Sequence, residues 1–188
     1  MSTFIASALV AGFFIMSGAQ AATAPAAPEV PEPTHPTFIV HLTSYNAVVG
    51  QTDDDPMTTA SGLRSNPETI AARSVDLKQD LPFGTVIAIE RAASDTNNCR
   101  FSEVESLIGY RVIGDSMNAR MKNRVDVLLD HEDKIEVNGK PTNPSRVLGI
   151  CDEVTVHVVG FIPVKDVPDT QEELRQMVDA SAKVALEN

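Results

Sequence analysis

The chain has 188 residues, with 26 Asp and Glu against 15 Lys and Arg, and a formal net charge of −11. Such a surface repels polyanions, and no run of Lys or Arg interleaved with aromatics overrides it, so nucleic acid is not expected as a partner. The chain has no Trp, the commonest sugar-stacking side chain, so a glycan contact would have to use Tyr45, Tyr110, Phe83 or polar groups.

In chain order, the first feature is a short apolar run, Phe4 to Met16, followed by Ala19-Gln20-Ala21, an A-x-A cleavage pattern. The run is too short to span a bilayer comfortably. Residues 1–21 are therefore read as a secretory signal peptide cleaved after Ala21, which implies a secreted or periplasmic protein of the cell envelope. Residues 22–36 (ATAPAAPEVPEPTHP) are Pro/Ala-rich without a hydrophobic period, a composition that favours a solvated tether. What remains has the length of one ordinary domain.

Phe38 to Gly50 alternates as a strand, with Ile39, His41, Thr43 and Tyr45 on one face and Val40 and Leu42 on the other. The loop after it ends in Thr59-Ala60-Ser61-Gly62, small enough to bring backbone close to a ligand. Glu68 to Lys78 suits either a short helix or a strand. Leu81-Pro82-Phe83-Gly84 is a turn, and Thr85 to Glu90 is a β-branched strand. Arg91 to Ser102 is polar and reads as a loop. Strands follow at Gly109–Gly114, Arg124–Asp130 and Glu153–Phe161, so the fold is expected to be mainly β. Thr170 and Glu173 then form a capping box, and Leu174, Met177, Val178, Ser181 and Val184 recur at helical spacing. This C-terminal amphipathic helix is expected to pack on its own domain, with docking of an envelope protein partner as the alternative.

The two cysteines, Cys99 and Cys151, suggest a disulfide in an exported chain. A buried reduced pair and a thiol nucleophile are the competing readings, and no histidine or other base stands at a family-like spacing from either cysteine. Asp53-Asp54-Asp55 lacks the alternation, central Gly and terminal Glu of a calcium loop. His35, His41, His131 and His157 show no zinc spacing. No metal or cofactor is expected, and His41, although it shares a strand face with Thr43 and Tyr45, reads as a surface histidine.

The stretch YRVIGDSMNARMKNRVDVLLD places Asp115 at the end of one apolar run and Asp126 inside another, where an unpartnered carboxylate is costly. If the two runs pair in one sheet, both carboxylates reach the same rim. Arg120, Lys122 or Arg124 could then hold one of them ionised while apolar surroundings raise the pKa of the other, which is how a general acid is prepared. The competing role for each is to accept backbone N–H bonds in a turn.

Three stretches, TSYNAVVG with TTASG, SVDLKQDLPFGTVIAIE, and YRVIGDSMNARMKNRVDVLL, resemble the 3D domain, named for three aspartates. It is a six-stranded double-psi β-barrel found in membrane-bound lytic transglycosylases of the A type and related to the barrels of rare lipoprotein A and expansins. The resemblance runs from Phe38 to Ile162 and rests on V-D…L-P-F-G-T and on the D-x(10)-D pair ending in Val-Asp-Val. It implies a barrel over residues 37–164 with the helix in 165–188, and it matches the three aspartates to Asp76, Asp115 and Asp126. By that match Asp126 is the single catalytic acid and base, Asp115 supports it, and Asp76 fixes the barrel's loops. The implied partner is the peptidoglycan glycan strand and the implied reaction lytic cleavage of the MurNAc–GlcNAc bond. The alternative is a non-catalytic glycan-binding or expansin-like module, holding sugar through Tyr45, Thr59 and Ser61. The family's Thr-Gly-Gly and Ile-Lys-Gly runs are here Ser116-Met117-Asn118 and Met121-Lys122-Asn123.

Overall fold

The computed structural model describes residues 35–52, 54–91 and 99–187. The expected signal peptide, nearly all of the expected tether and Asp53 lie outside them. The elements run β1 (Thr37–Tyr45), β2 (Ile70–Arg73), a 3-10 turn (Val75–Lys78), β3 (Thr85–Arg91), α1 (Phe101–Ile108), β4 (Arg111–Ser116) and β5 (Arg124–Leu128). A small hairpin, β6 (Ile135–Val137) and β7 (Lys140–Thr142), then leads through α2 (Pro144–Leu148) into β8 (Cys151–Phe161), a second 3-10 turn (Val164–Asp166) and α3 (Gln171–Glu187).

Six strands close a barrel in the order β1-β5-β2-β4-β3-β8. The pairs β1/β5 and β2/β4 are parallel and the other four antiparallel. Because β5 lies between β1 and β2, and β2 between β4 and β5, the connections β1–β2 and β4–β5 each skip a strand that belongs to the other. These interlocked crossovers are the arrangement the double-psi expectation requires.

Alternation along each strand sorts side chains into an interior and an outer surface. Val40 and Leu42 of β1, Ile87 of β3, and Val125 and Val127 of β5 fill the interior. Phe101, Val104 and Ile108 of α1 belong to the same core. This helix corrects the loop expected over Arg91–Ser102, since its first two residues fall inside that range. Its apolar residues sit at positions i, i+3 and i+7, one face of a helix. Arg111, fully buried, donates to the carbonyls of Leu107 and Ile108 and so satisfies the end of α1. Cys99 and Cys151 form a disulfide, tying the segment before α1 to the first residue of β8.

Outside the barrel, Leu174 and Val178 of α3 pack on Val86, Val112 and Ile162. The capping box is formed: Glu173 N donates to Thr170 Oγ1 (3.2 Å), and Thr170 N to Glu173 Oε2 (3.3 Å). The strand expected over Phe38–Gly50 stops at Tyr45. There the Asn46 amide turns inward and donates to Leu129 O (2.7 Å) and Ser145 Oγ (3.0 Å). The ambiguous Glu68–Lys78 segment is a strand followed by a 3-10 turn.

Candidate functional site

A groove of about 530 Å³ opens on the outer face of β1, β2, β4 and β5. The chain between β1 and β2 contributes Gln51, Thr58 and Ser65 to its lining, and the β4–β5 loop contributes Met117, Arg120 and Met121. Its floor follows from strand register. Thr43 and Ala72 both pair with Asp126, and Ala72 also pairs with Asp115, so four residues on four neighbouring strands form one row. Neighbouring strands lie about 4.8 Å apart, which sets the two aspartates roughly 10 Å apart at Cα, with only the methyl of Ala72 between. Both aspartates line the groove, so the shared rim expected from the sequence is formed.

They reach that face by different routes. In β5, Val125 and Val127 point into the barrel, and Asp126 between them points out. In β4, Ile113 is interior, and strict alternation would turn Asp115 inward as well. The β2/β4 register shifts between Ala71 and Ala72, so Ile113 pairs with Ala71 and Asp115 with Ala72. This bulge at Gly114 re-aims the carboxylate from core to groove.

The two carboxyls have different surroundings. Asp115 accepts three hydrogen bonds: Tyr45 Oη to Oδ2 (2.9 Å), and Ala60 N (2.9 Å) and Ser116 N (2.8 Å) to Oδ1. Burial and the adjacent Asp115 raise the Tyr45 hydroxyl well above the usual phenol range, so it stays a donor. Asp126 has no such set of donors, and its Oδ1 is buried without a hydrogen-bond partner. Burial pushes its carboxyl up to about 6, helped by the negative charge of Asp115 and opposed by the Thr43 hydroxyl and the Arg124 guanidinium. A carboxyl of this kind exchanges a proton near neutrality, and among the described residues one of its oxygens has no hydrogen-bond donor.

Asp76 lies away from the groove on the exposed 3-10 turn. Its Oδ2 accepts the Asn123 N–H (2.9 Å), the chief reason its carboxyl is held below the ordinary range. Asn123 sits at φ +46°, a left-handed conformation that asparagine tolerates and that glycine would otherwise supply. The L-P-F-G turn is fixed nearby, where Arg73 Nε donates to Leu81 O (2.9 Å) and its guanidinium lies 5.0 Å from the Phe83 ring centre.

Of the residues expected to contact sugar, Tyr45 lines the groove and Thr59 and Ser61 do not. The two hydroxyls bond each other (3.1 Å), and Thr59 Oγ1 accepts from Leu63 N (3.2 Å). The small polar stretch does bring backbone close, but to Asp115. Ala72, Gln51 and Ser65 carried no signal in the sequence, because only the closed barrel brings them to the groove that Asp126 lines. His41 lies 3.4 Å from Asp152, with both side chains substantially exposed. Among the described residues no three His, Cys, Asp or Glu side chains are grouped to hold a metal ion. No protein-family model matches the chain, and no curated protein is significantly similar to it.

Proposed function

We propose that the protein is exported to the cell envelope and cleaves peptidoglycan glycan strands as a lytic transglycosylase-like enzyme, with Asp126 as its single acid and base. The observation that carries this reading is the contrast between the two groove carboxyls: Asp115 is saturated with donors, whereas Asp126 is desolvated, titrates near 6 and has an unpartnered oxygen. In the reaction, protonated Asp126 donates to the glycosidic oxygen as the C1–O bond breaks, and the departing sugar leaves as an alcohol. The carboxylate so formed takes the proton of the C6 hydroxyl of the remaining sugar. O6 then closes on the oxocarbenium-like C1 to give a 1,6-anhydro product. No water is consumed, and Asp126 ends protonated as it began. Asp115, held by Tyr45, acts by position and by its charge on Asp126.

One observation favours a second reading. Met117 and Met121 line the groove where the resembled family carries glycine and isoleucine, and Met117 fills space that glycine would leave open. A groove narrowed in this way suits a non-catalytic glycan-binding module. Mass spectrometry of soluble fragments released from purified peptidoglycan by the protein and by Asp126→Asn separates the two. Anhydro-muropeptides from the unsubstituted protein alone support the enzyme. Strand binding without product from either supports the binder and removes Asp126 from catalysis.

A further inference from the structure

Among the described residues, two carboxylates and one cation, Arg120, line the groove. Neither carboxylate uses it: Asp115 is occupied by Tyr45, Ala60 and Ser116, and the cation acting on Asp126 is Arg124. Among the described residues no carboxylate lies within ion-pairing distance of the Arg120 guanidinium. The backbone that carries it is nonetheless fixed. Arg120 N donates to Asn118 Oδ1 (3.1 Å), Met121 N to Asn118 O (2.9 Å), Met117 N to Arg73 O (2.9 Å) and Asn123 N to Asp76 Oδ2 (2.9 Å).

A chain of net charge −11 does little to attract anions at long range, so the exposed Arg120 guanidinium, with no ion-pair partner among the described residues, is a local exception to the field around it. Its planar fork of donors matches a carboxylate with two parallel hydrogen bonds. Met117 and Met121 on either side in sequence give an apolar surface for the body of whatever brings that carboxylate. A wholly neutral sugar chain would offer Arg120 only hydroxyls, for which an uncharged side chain would serve.

We infer that the Arg120 end of the groove is a carboxylate subsite, at which a strand seated over Asp126 sets an anionic group of its own against the guanidinium. The inference rests on the glycan reading of the same groove. Two sources share the required chemistry: a carboxylate on the sugar itself, as in a muramic-acid-type residue, or a carboxylate of a peptide attached to it.

The test measures binding by isothermal calorimetry with the full chain carrying Asp126→Asn, so that strands are not consumed. Three glycan strands are compared: strands stripped of peptide, with free sugar carboxylates; strands that keep their peptides, in which the sugar carboxyl is tied up as an amide; and stripped strands whose carboxylates have been reduced to alcohols. Adding Arg120→Ala is expected to weaken binding of a carboxylate-bearing strand about five- to tenfold. Arg120→Lys should cost less, and affinity for the reduced strand should not change. A loss on stripped strands identifies the sugar as the source, and a loss confined to peptide-bearing strands identifies the peptide. Equal affinity with and without Arg120→Ala for all three strands, or an equal loss on the reduced strand, overturns the subsite and leaves the glycan reading standing. If Asp126→Asn binds none of the strands, both fall together.

Discussion

Asp126 carries a cost that its neighbours do not offset. An aspartyl carboxyl in an unfolded chain titrates near 3.9, whereas burial puts this one at about 6 in the folded protein. The native state therefore binds the proton more tightly than the unfolded state. Its contribution to stability is complete below about pH 4, falls as pH rises towards 6, and is lost above that. Asp126→Asn removes the titration. The unfolding free energy of the variant relative to the parent should thus rise by about 2 kcal/mol between pH 4 and pH 7, measured by urea unfolding at each pH. A difference that stays constant would mean that the carboxylate is as well solvated in the groove as in water. In the enzyme reading the same proton sets the rate, and anhydro-product formation should decline above about pH 6, where the acid form is lost.

At the scale of elements, the turn Leu81-Pro82-Phe83-Gly84 shows how a sequence signal becomes a structural requirement. Gly84 lies at φ +95°, and a Cβ there would stand 2.4 Å from Ile162 O and 3.0 Å from the Phe161 ring. Its own N–H donates to Ile113 O (2.9 Å) and its carbonyl accepts from Ile162 N (2.8 Å), so this residue stitches β3 to β4 and to the end of β8. Gly84→Ala should destabilise the protein by about 2 kcal/mol or more, read as a lower urea midpoint; an unchanged midpoint would mean that the turn relaxes without strain. Phe38–Tyr45 was legible by its alternation and Thr85–Glu90 by its β-branched run between turn residues, although Val86, opposite Ile87 and Ile89, is itself buried under α3. Short elements were harder. α1 has only three buried residues, diluted by Glu and Ser, and the β6–β7 hairpin is signalled by Asn138-Gly139, both at positive φ, a two-residue turn that reading for longer apolar runs passes over. The bulge at Gly114 was not legible either, since nothing local to β4 says that its register against β2 will shift.

For the whole molecule, the resemblance matched three aspartates and implied a role for each, but the division of surroundings among them was not legible in the sequence. That division depends on a closure in which residues far apart in the chain become neighbours: Tyr45 with Asp115, and Asp76 with Asn123. The Cys99–Cys151 bridge closes a separation of 52 residues and should stabilise the fold by about 4 kcal/mol. A urea midpoint that does not fall in dithiothreitol would show that the reduced chain is already constrained by its core. The strand order carries one more consequence. Exchanging β1, β2 and β3 with β4, β5 and β8 leaves every pairing of the barrel unchanged, so the two halves are related by an approximate twofold axis through the β2/β5 pair. On that axis Ala72 and Asp126 are equivalent positions, as are Thr43 and Asp115 on either side. One half supplies a methyl and a hydroxyl, the other two carboxylates. A symmetric scaffold would present two identical half-sites; here the carboxyl of Asp126 stands opposite the methyl of Ala72, and the groove gains its direction from that broken symmetry.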